Sequence, residues 1–270
     1  MPTAAFVHPH PDDEAIFTGG AMRRAADTGW HVVLVMATSG EEGELPDWVQ
    51  LDAADHRRME TAAAAAELGV HELHYLGYRD SGMAGTAANL AAGALATSIA
   101  AATADLAALL GRVGADAVVG QDPNGIYGHP DHLAVHRIVT DAAAEAGVPE
   151  HLEATLDRDW LVALRAERIA TGRLAPEAWC GAELARLGVA RTSGGWATGA
   201  GDPPAALVHL DVAAELGAKQ AAMAAHASQV PDAIDFMGIP PGTFHQVVAH
   251  EWYLRRAASP GPLERALTTS

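Results

Sequence analysis

The chain has 270 residues, with 17 Lys and Arg against 34 Asp and Glu, and a formal charge of −17. That length buries a sizeable core as one large domain or two small ones, and an apolar fraction of 49% excludes an intrinsically disordered chain. A single cysteine excludes a disulfide framework and a thiolate-held zinc, and the acid excess argues against nucleic acid or anionic lipid, because a surface of that sign repels polyphosphate.

Residues 1–10 carry no basic region and no long apolar run, so no signal peptide is expected. The first strand is predicted over 4–7, a second, β-branched and nearly continuous, over 31–37, a third over 71–76 and a fourth over 115–120. Between them, helical patterns run over 14–28, 52–68 and 87–113, and another follows over 132–146. Further strands are expected at 151–156 and 206–210, a helix at 212–226 and an edge strand at 246–250, with 191–204 a Gly/Pro-rich mobile loop. No stretch reaches the roughly 18 apolar residues of a membrane span, so a soluble, cytoplasmic protein is expected. No internal repeat or linker divides the chain, and residues 1–270 are read as one domain. The alternation implies an α/β fold, a Rossmann-like, mostly parallel sheet with helices on both faces.

In such sheets ligands sit at the carboxyl ends of the strands. The first of those loops holds His10-Pro11-Asp12-Asp13-Glu14 and the fourth holds Tyr127-Gly128-His129-Pro130-Asp131-His132. One His-Pro-Asp alone is explained as well by a turn followed by a helix cap. Two copies in neighbouring crevice loops bring imidazoles and carboxylates together, the ligand types of a catalytic zinc with an open position, and iron(II) or another divalent metal suits the same donors.

These two motifs resemble the PIG-L/LmbE-like zinc-dependent N-acetylglucosaminyl deacetylases. T-S-G-E-E-G-E at 38–44, Y-R-D-S-G-M-A-G-T at 78–86 and K-Q-A-A-M-A-A-H-A-S-Q at 219–229 are similar to the actinobacterial mycothiol-pathway branch. The resemblance implies that His10, Asp13 and His132 hold the metal and that Asp12 is the general base for its water. It implies Tyr127 as an oxyanion donor and His129 as an imidazolium that later protonates the leaving amine, with Asp131 orienting His129. Substrate contacts implied in the same way are Glu44, Arg57, Asp80 and Met83, with His226 and Gln229 approaching the site. The implied substrate is a small N-acetylglucosaminide such as N-acetylglucosaminyl-inositol. A mycothiol S-conjugate amidase or a natural-product N-deacylase is the alternative within the same chemistry, and the Glu-rich loop favours the deacetylase. A non-catalytic sugar- or metal-binding protein needs neither Asp12 nor His129.

Plainer explanations stand beside several of these residues. Arg57 and Glu60 make an ordinary i, i+3 pair on a solvated helix face. Glu41, Glu42 and Glu44 suit a solvated acidic turn, the preferred reading for Glu42. His226 and Gln229 end a helix, where a cation is favoured in any case. His8 is read as packing at a strand end, His31, His71, His74, His136, His151 and His209 as structural, and Cys180 has no assigned role. Residues 15–20 are more apolar than the mycothiol branch leads one to expect, and 157–204 matches none of its motifs.

Overall fold

The apolar run of strand β1 (Thr3–His8) lies parallel to that of β2 (His31–Met36), with Val7 opposite Val35. Side chains alternate across the sheet. Phe6, Leu34 and Met36 face one core, and Val7, Val33 and Val35 face the other, so continuous apolar strands are buried on both sides. With β3 (Glu72–Tyr75), β4 (Ala117–Gln121), β5 (Glu150–Thr155), β8 (Ala206–Asp211) and β9 (His250–Arg255), they form a seven-stranded sheet in the order β3-β2-β1-β4-β5-β9-β8. The pairs from β3 to β5 are parallel, and those from β5 to β9 and β9 to β8 are antiparallel. The structure is a computed structural model and describes residues 1–177, 184–192, 195–197, 206–229 and 241–269. Cys180 lies outside the described residues, as do 193–194 and 198–204 of the predicted loop.

Helices α4 (Ile99–Val113) and α6 (Pro130–Ala146) cover one face through Leu106, Leu110, Val135 and Val139. Helices α2 (Gly19–Asp27), α3 (Ala53–Glu67), α8 (Leu216–Ala225) and α10 (Pro262–Thr268) cover the other through Met22, Ala64, Met223 and Leu263. Among the described residues, no helix is long and apolar enough to cross a membrane.

Several elements differ from expectation. The helix predicted over 14–28 is divided at Thr18 into α1 (Asp13–Phe17) and α2. The α-helix predicted from 87 begins at Ile99, because Gly93 takes φ +80° and the Gly93 carbonyl and Leu95 amide bond to Arg79, which leaves only 3-10 turns at Ala88–Leu90 and Leu95–Thr97. Residues 246–248 end helix α9 (Pro241–Val248), and β9, which follows, is an inner strand; the edge belongs to β8. Helix α5 (Gly125–Gly128) is one turn, and α7 (Arg158–Ala170), capped by Asp157 on the Trp160 amide at 3.1 Å, was not foreseen. Within the predicted loop, β6 (Ala190–Thr192) and β7 (Gly195–Ala197) pair antiparallel.

A buried charge pair ties the second face together. Glu251 on β9 accepts from the Gly20 and Ala21 amides at 2.7 and 3.0 Å, the free N–H groups at the start of α2. It also accepts from Lys219 Nζ at 2.6 Å and Tyr253 Oη at 2.7 Å. Both Lys219 and Glu251 are buried. Removing Lys219 leaves the buried Glu251 charge with neutral donors alone, so Lys219→Met is expected to lower stability by about 3–5 kcal/mol, read as a fall in unfolding midpoint.

Candidate metal centre and active-site cavity

Strands β1 and β4 are neighbours, so the loops leaving their carboxyl ends meet above the centre of the sheet. Each loop carries one strained residue. Among the described residues, the non-glycine positions with positive φ are Asp12 at 102° and Ile126 at 56°. Such conformations cost of order 1–3 kcal/mol and persist only where the surroundings over-determine them. At Ile126, the Asp122 carboxylate accepts from the Asn124 and Ile126 amides at 2.9 and 2.8 Å. At Asp12, the amide donates to Glu14 Oε2 at 2.9 Å, and Arg57 donates to the Pro11 carbonyl at 2.6 Å.

The loops bring His10, Asp13 and His132 together, all buried, with ligand atoms within 4.8 Å of one another. Asp13 Oδ2 stands 3.4 Å from His10 Nδ1 and 3.3 Å from His132 Nε2. Two atoms each about 2.1 Å from a tetrahedral centre stand about 3.4 Å apart, so this spacing fits a small divalent cation. The other nitrogen of His10, Nε2, faces Asp131 Oδ2 at 3.1 Å and Asp80 Oδ1 at 3.5 Å. That carboxylate partnership holds the ring with Nδ1 toward the cluster, as outer carboxylates do for metal-ligating histidines. Burial opposes a charged His10, but Asp80, Asp13 and Asp131 outweigh it and hold its pKa well above the ordinary value. Burial likewise opposes ionised Asp13, and the His132 and His10 rings outweigh it and hold Asp13 well below the usual range. The cluster therefore attracts positive charge at a place where imidazole and carboxylate donors converge without thiolate.

A cavity of about 520 Å³ opens beside the cluster. His10, Asp12, Asp13, Tyr127 and His129 line it, and so do Glu44, Arg57, Asp80, Met83 and Gln229. Burial pushes Asp12 up to about 7, against the nearby Arg57 guanidinium, whose Nη2 lies 3.3 Å from Asp12 Oδ2. Arg57 is buried rather than on a solvated face, and it also donates to the Gly40 carbonyl. Gly40 adopts φ +67°, and a side chain there would occupy the space of the guanidinium. Gln229 Nε2 donates to the Glu44 carbonyl at 2.8 Å, closing the wall between them. Glu42 is exposed, as preferred, yet it reaches the cavity rim. Tyr127 Oη lies 3.2 Å from His132 Nε2, and burial raises its pKa well above the ordinary value.

Three of the implied residues make contacts other than those expected. His129 is the N-cap of α6, and its Nδ1 accepts the Asp131 amide at 3.1 Å. A nitrogen that accepts does not hold a proton, so this contact favours a neutral ring with its proton on Nε2 over the imidazolium. Burial, with His10 and His132 nearby, pushes its pKa down to about 2. The Asp131 carboxylate, expected to orient His129, turns instead to His10 and to the Ser81 amide at 2.9 Å. His226, expected to contact substrate, is wholly buried behind the cavity, with Nε2 2.5 Å from Glu14 Oε1.

The structure also adds Ile16 and Phe17 to the cavity wall; their apolar character at 15–20 was the available signal. Glu14, inside the first motif, is fully buried, whereas its place in a first helical turn reads simply as an N-terminal acid. His8 packs as expected, with Nε2 2.8 Å from Thr18 Oγ1. Among the histidines read as structural, His31 and His74 pair with Glu72, and His209 pairs with His250.

Comparison with known proteins places the chain in a family. The family model described as GlcNAc-PI de-N-acetylase (PIG-L) matches residues 5–143, the stretch that holds both loops. The 1D-myo-inositol 2-acetamido-2-deoxy-alpha-D-glucopyranoside deacetylase of Actinosynnema mirum is 38% identical over 98% of this chain and 94% of its own. The protein of the same name from Thermobispora bispora is 36% identical over 95% of this chain and 89% of its own. The fold is shared with the N,N'-diacetylchitobiose deacetylase of Pyrococcus horikoshii, at a TM-score of 0.53 and 23% identity over 86% of this chain and 72% of that one. The chain belongs to the PIG-L (GlcNAc-PI de-N-acetylase) family.

Proposed function

We propose that the chain is a zinc-dependent amide hydrolase that removes the acetyl group from a small N-acetylglucosaminide, N-acetylglucosaminyl-inositol by analogy with its named relatives. The observation that carries this reading is the convergence on one cavity of the His10–Asp13–His132 cluster, the strained Asp12 and the donors Tyr127 and His129. His10, Asp13 and His132 would hold the cation, zinc by donor type, with iron(II) suiting the same ligands. Bound there, it lowers the pKa of a water and polarises the acetamide carbonyl.

The chain's own residues supply the rest. Asp12, on the cavity wall, accepts the proton of the attacking water. Tyr127 Oη and the Nε2–H of His129 donate to the oxygen on which charge develops. Because His129 is neutral, the proton needed by the departing amine comes back from Asp12, and the products are acetate and a free amino sugar. Ile16 and Phe17 provide an apolar wall for the acetyl methyl. Glu42, Glu44 and Asp80 offer acceptors to hydroxyl groups, which suits a polyhydroxylated amino sugar.

Release of the free amino sugar from a panel of N-acetyl sugars and mycothiol-type thioether conjugates tests this. The highest kcat/KM is expected on N-acetylglucosaminyl-inositol. Turnover confined to thioether conjugates would move the assignment to an amidase, and turnover of neither would refute it.

The base also sets a pH dependence. Asp12 acts only when ionised, and its pKa is pushed up to about 7 by burial, with Arg57 opposing. Activity therefore rises with pH through its titration, at or below that value once a cation sits at Asp13. Arg57→Gln keeps a donor but removes the charge that favours the carboxylate, so the acid limb of kcat/KM is expected to move up by about one pH unit. An unmoved limb in the pH–rate profile would assign it to another group.

A further inference from the structure

The peptide between Pro11 and Asp12 is gripped at both ends. Its carbonyl accepts from Arg57 Nη2 at 2.6 Å, and its N–H donates to Glu14 Oε2 at 2.9 Å. Beyond it the chain turns through φ 102° and ψ −36° at Asp12 and enters α1, where the Asp12 carbonyl accepts the Ala15 and Ile16 amides at 3.0 and 3.1 Å. A carboxylate on an ordinary αR or extended residue would leave this backbone in a different direction. The direction of the Asp12 side chain thus depends on the two groups that hold its peptide.

Of those two, Glu14 is itself held. Its second oxygen, Oε1, lies 2.5 Å from His226 Nε2, and both residues are fully buried. Neither lines the cavity. His226 sits at the C-terminal end of α8, and its remaining ring nitrogen, Nδ1, is buried without a hydrogen-bond partner among the described residues. The polar contact made by the ring is therefore directed at Glu14. Two residues further on, Ser228 is fixed by the Glu60 carboxylate through its amide at 2.9 Å and its hydroxyl at 2.6 Å, which anchors this end of α8 to α3, the helix that carries Arg57.

We propose that His226 is a positioning residue for the reaction: by holding Glu14 it fixes the Asp12 N–H, and with it the direction in which the Asp12 carboxylate faces the cavity. The proposal rests on the reading of Asp12 as the base. Its ordinary competitor is a buried ion pair that only stabilises the fold.

Kinetics of the metal-loaded enzyme separate the two. His226→Leu removes the contact with Glu14. His226→Gln places an amide nitrogen near the position of Nε2 and restores it. The leucine variant is expected to lower kcat by about 10- to 100-fold, with KM within about twofold of wild type and metal content unchanged. The glutamine variant is expected to recover most of that loss. Amide hydrogen exchange at Asp12 should accelerate in the leucine variant and return in the glutamine variant, independently of turnover. Should His226→Leu not fold, His226→Asn, polar but too short to reach Glu14, carries the same expectation. Wild-type kcat in a folded leucine or asparagine variant would overturn the proposal. So would an equal loss in the glutamine variant with unaltered exchange at Asp12. Wild-type acetate release and its loss in Asp12→Asn test the underlying reading separately, so a neutral His226 variant beside an inactive Asp12 variant sinks this inference alone.

Discussion

Asp12→Asn is expected to lower kcat for acetate release by about 10²- to 10⁴-fold while leaving metal content unchanged, the range spanned by loss of a positioned general base. The substitution is close to isosteric, and asparagine is among the few residues that tolerate positive φ, so the 102° backbone survives. The Asn carbonyl oxygen can still accept from Arg57 Nη2, which stands 3.3 Å from the present carboxylate. His10, Asp13 and His132 are untouched. What disappears is a group that can take a proton, and an amide nitrogen cannot substitute for it. Steady-state kinetics with metal analysis on the same sample checks this. Near-wild-type turnover would mean that the base lies elsewhere in the cavity.

His132→Ala acts one step earlier. It removes one of three buried donors around a single point, the ring whose Nε2 stands 3.3 Å from Asp13 Oδ2. Loss of an outer partner of a metal ligand typically costs about 10- to 100-fold in affinity, and loss of the ligand itself is expected to cost more. The variant should therefore purify with little metal and release no measurable acetate, while unfolding cooperatively. The contrast between the two substitutions, metal kept in one and lost in the other, separates the base from the ligands. A metal-replete His132→Ala would place the cation on the other buried cluster, His10, His129 and Asp131.

Much of this was readable because the signals were local. The β-branched run at 31–37 can only be an inner strand, and two His-Pro-Asp loops at the ends of neighbouring strands must meet. What was not readable depended on where a side chain points after the chain has turned. Spacing puts Asp131 two residues from His129, yet the helix start between them turns the carboxylate toward His10, and only the backbone amide returns to the His129 ring. Likewise, a helix end near the site says nothing about whether His226 faces the cavity or the buried Glu14 behind it. Strand β9 was hidden for a different reason. Its run H-E-W-Y-L-R carries a charge at a core position, and Lys219 with the Gly20 and Ala21 amides, all distant in sequence, make Glu251 acceptable there. The alanine-rich stretch before Ile99 has helix propensity, but the pairing of Arg79 with 93–95 overrides it, which illustrates how weak a prior propensity is against tertiary hydrogen bonding.

Under the proposed function, amide hydrolysis depends on a cation held by His10, Asp13 and His132. The most direct test is a titration of metal-stripped protein with zinc or iron(II), following acetate release from N-acetylglucosaminyl-inositol. No release before addition, and activity rising to a break near about one equivalent of metal, is the predicted result. Full turnover by protein free of metal, in the presence of a chelator, would contradict it.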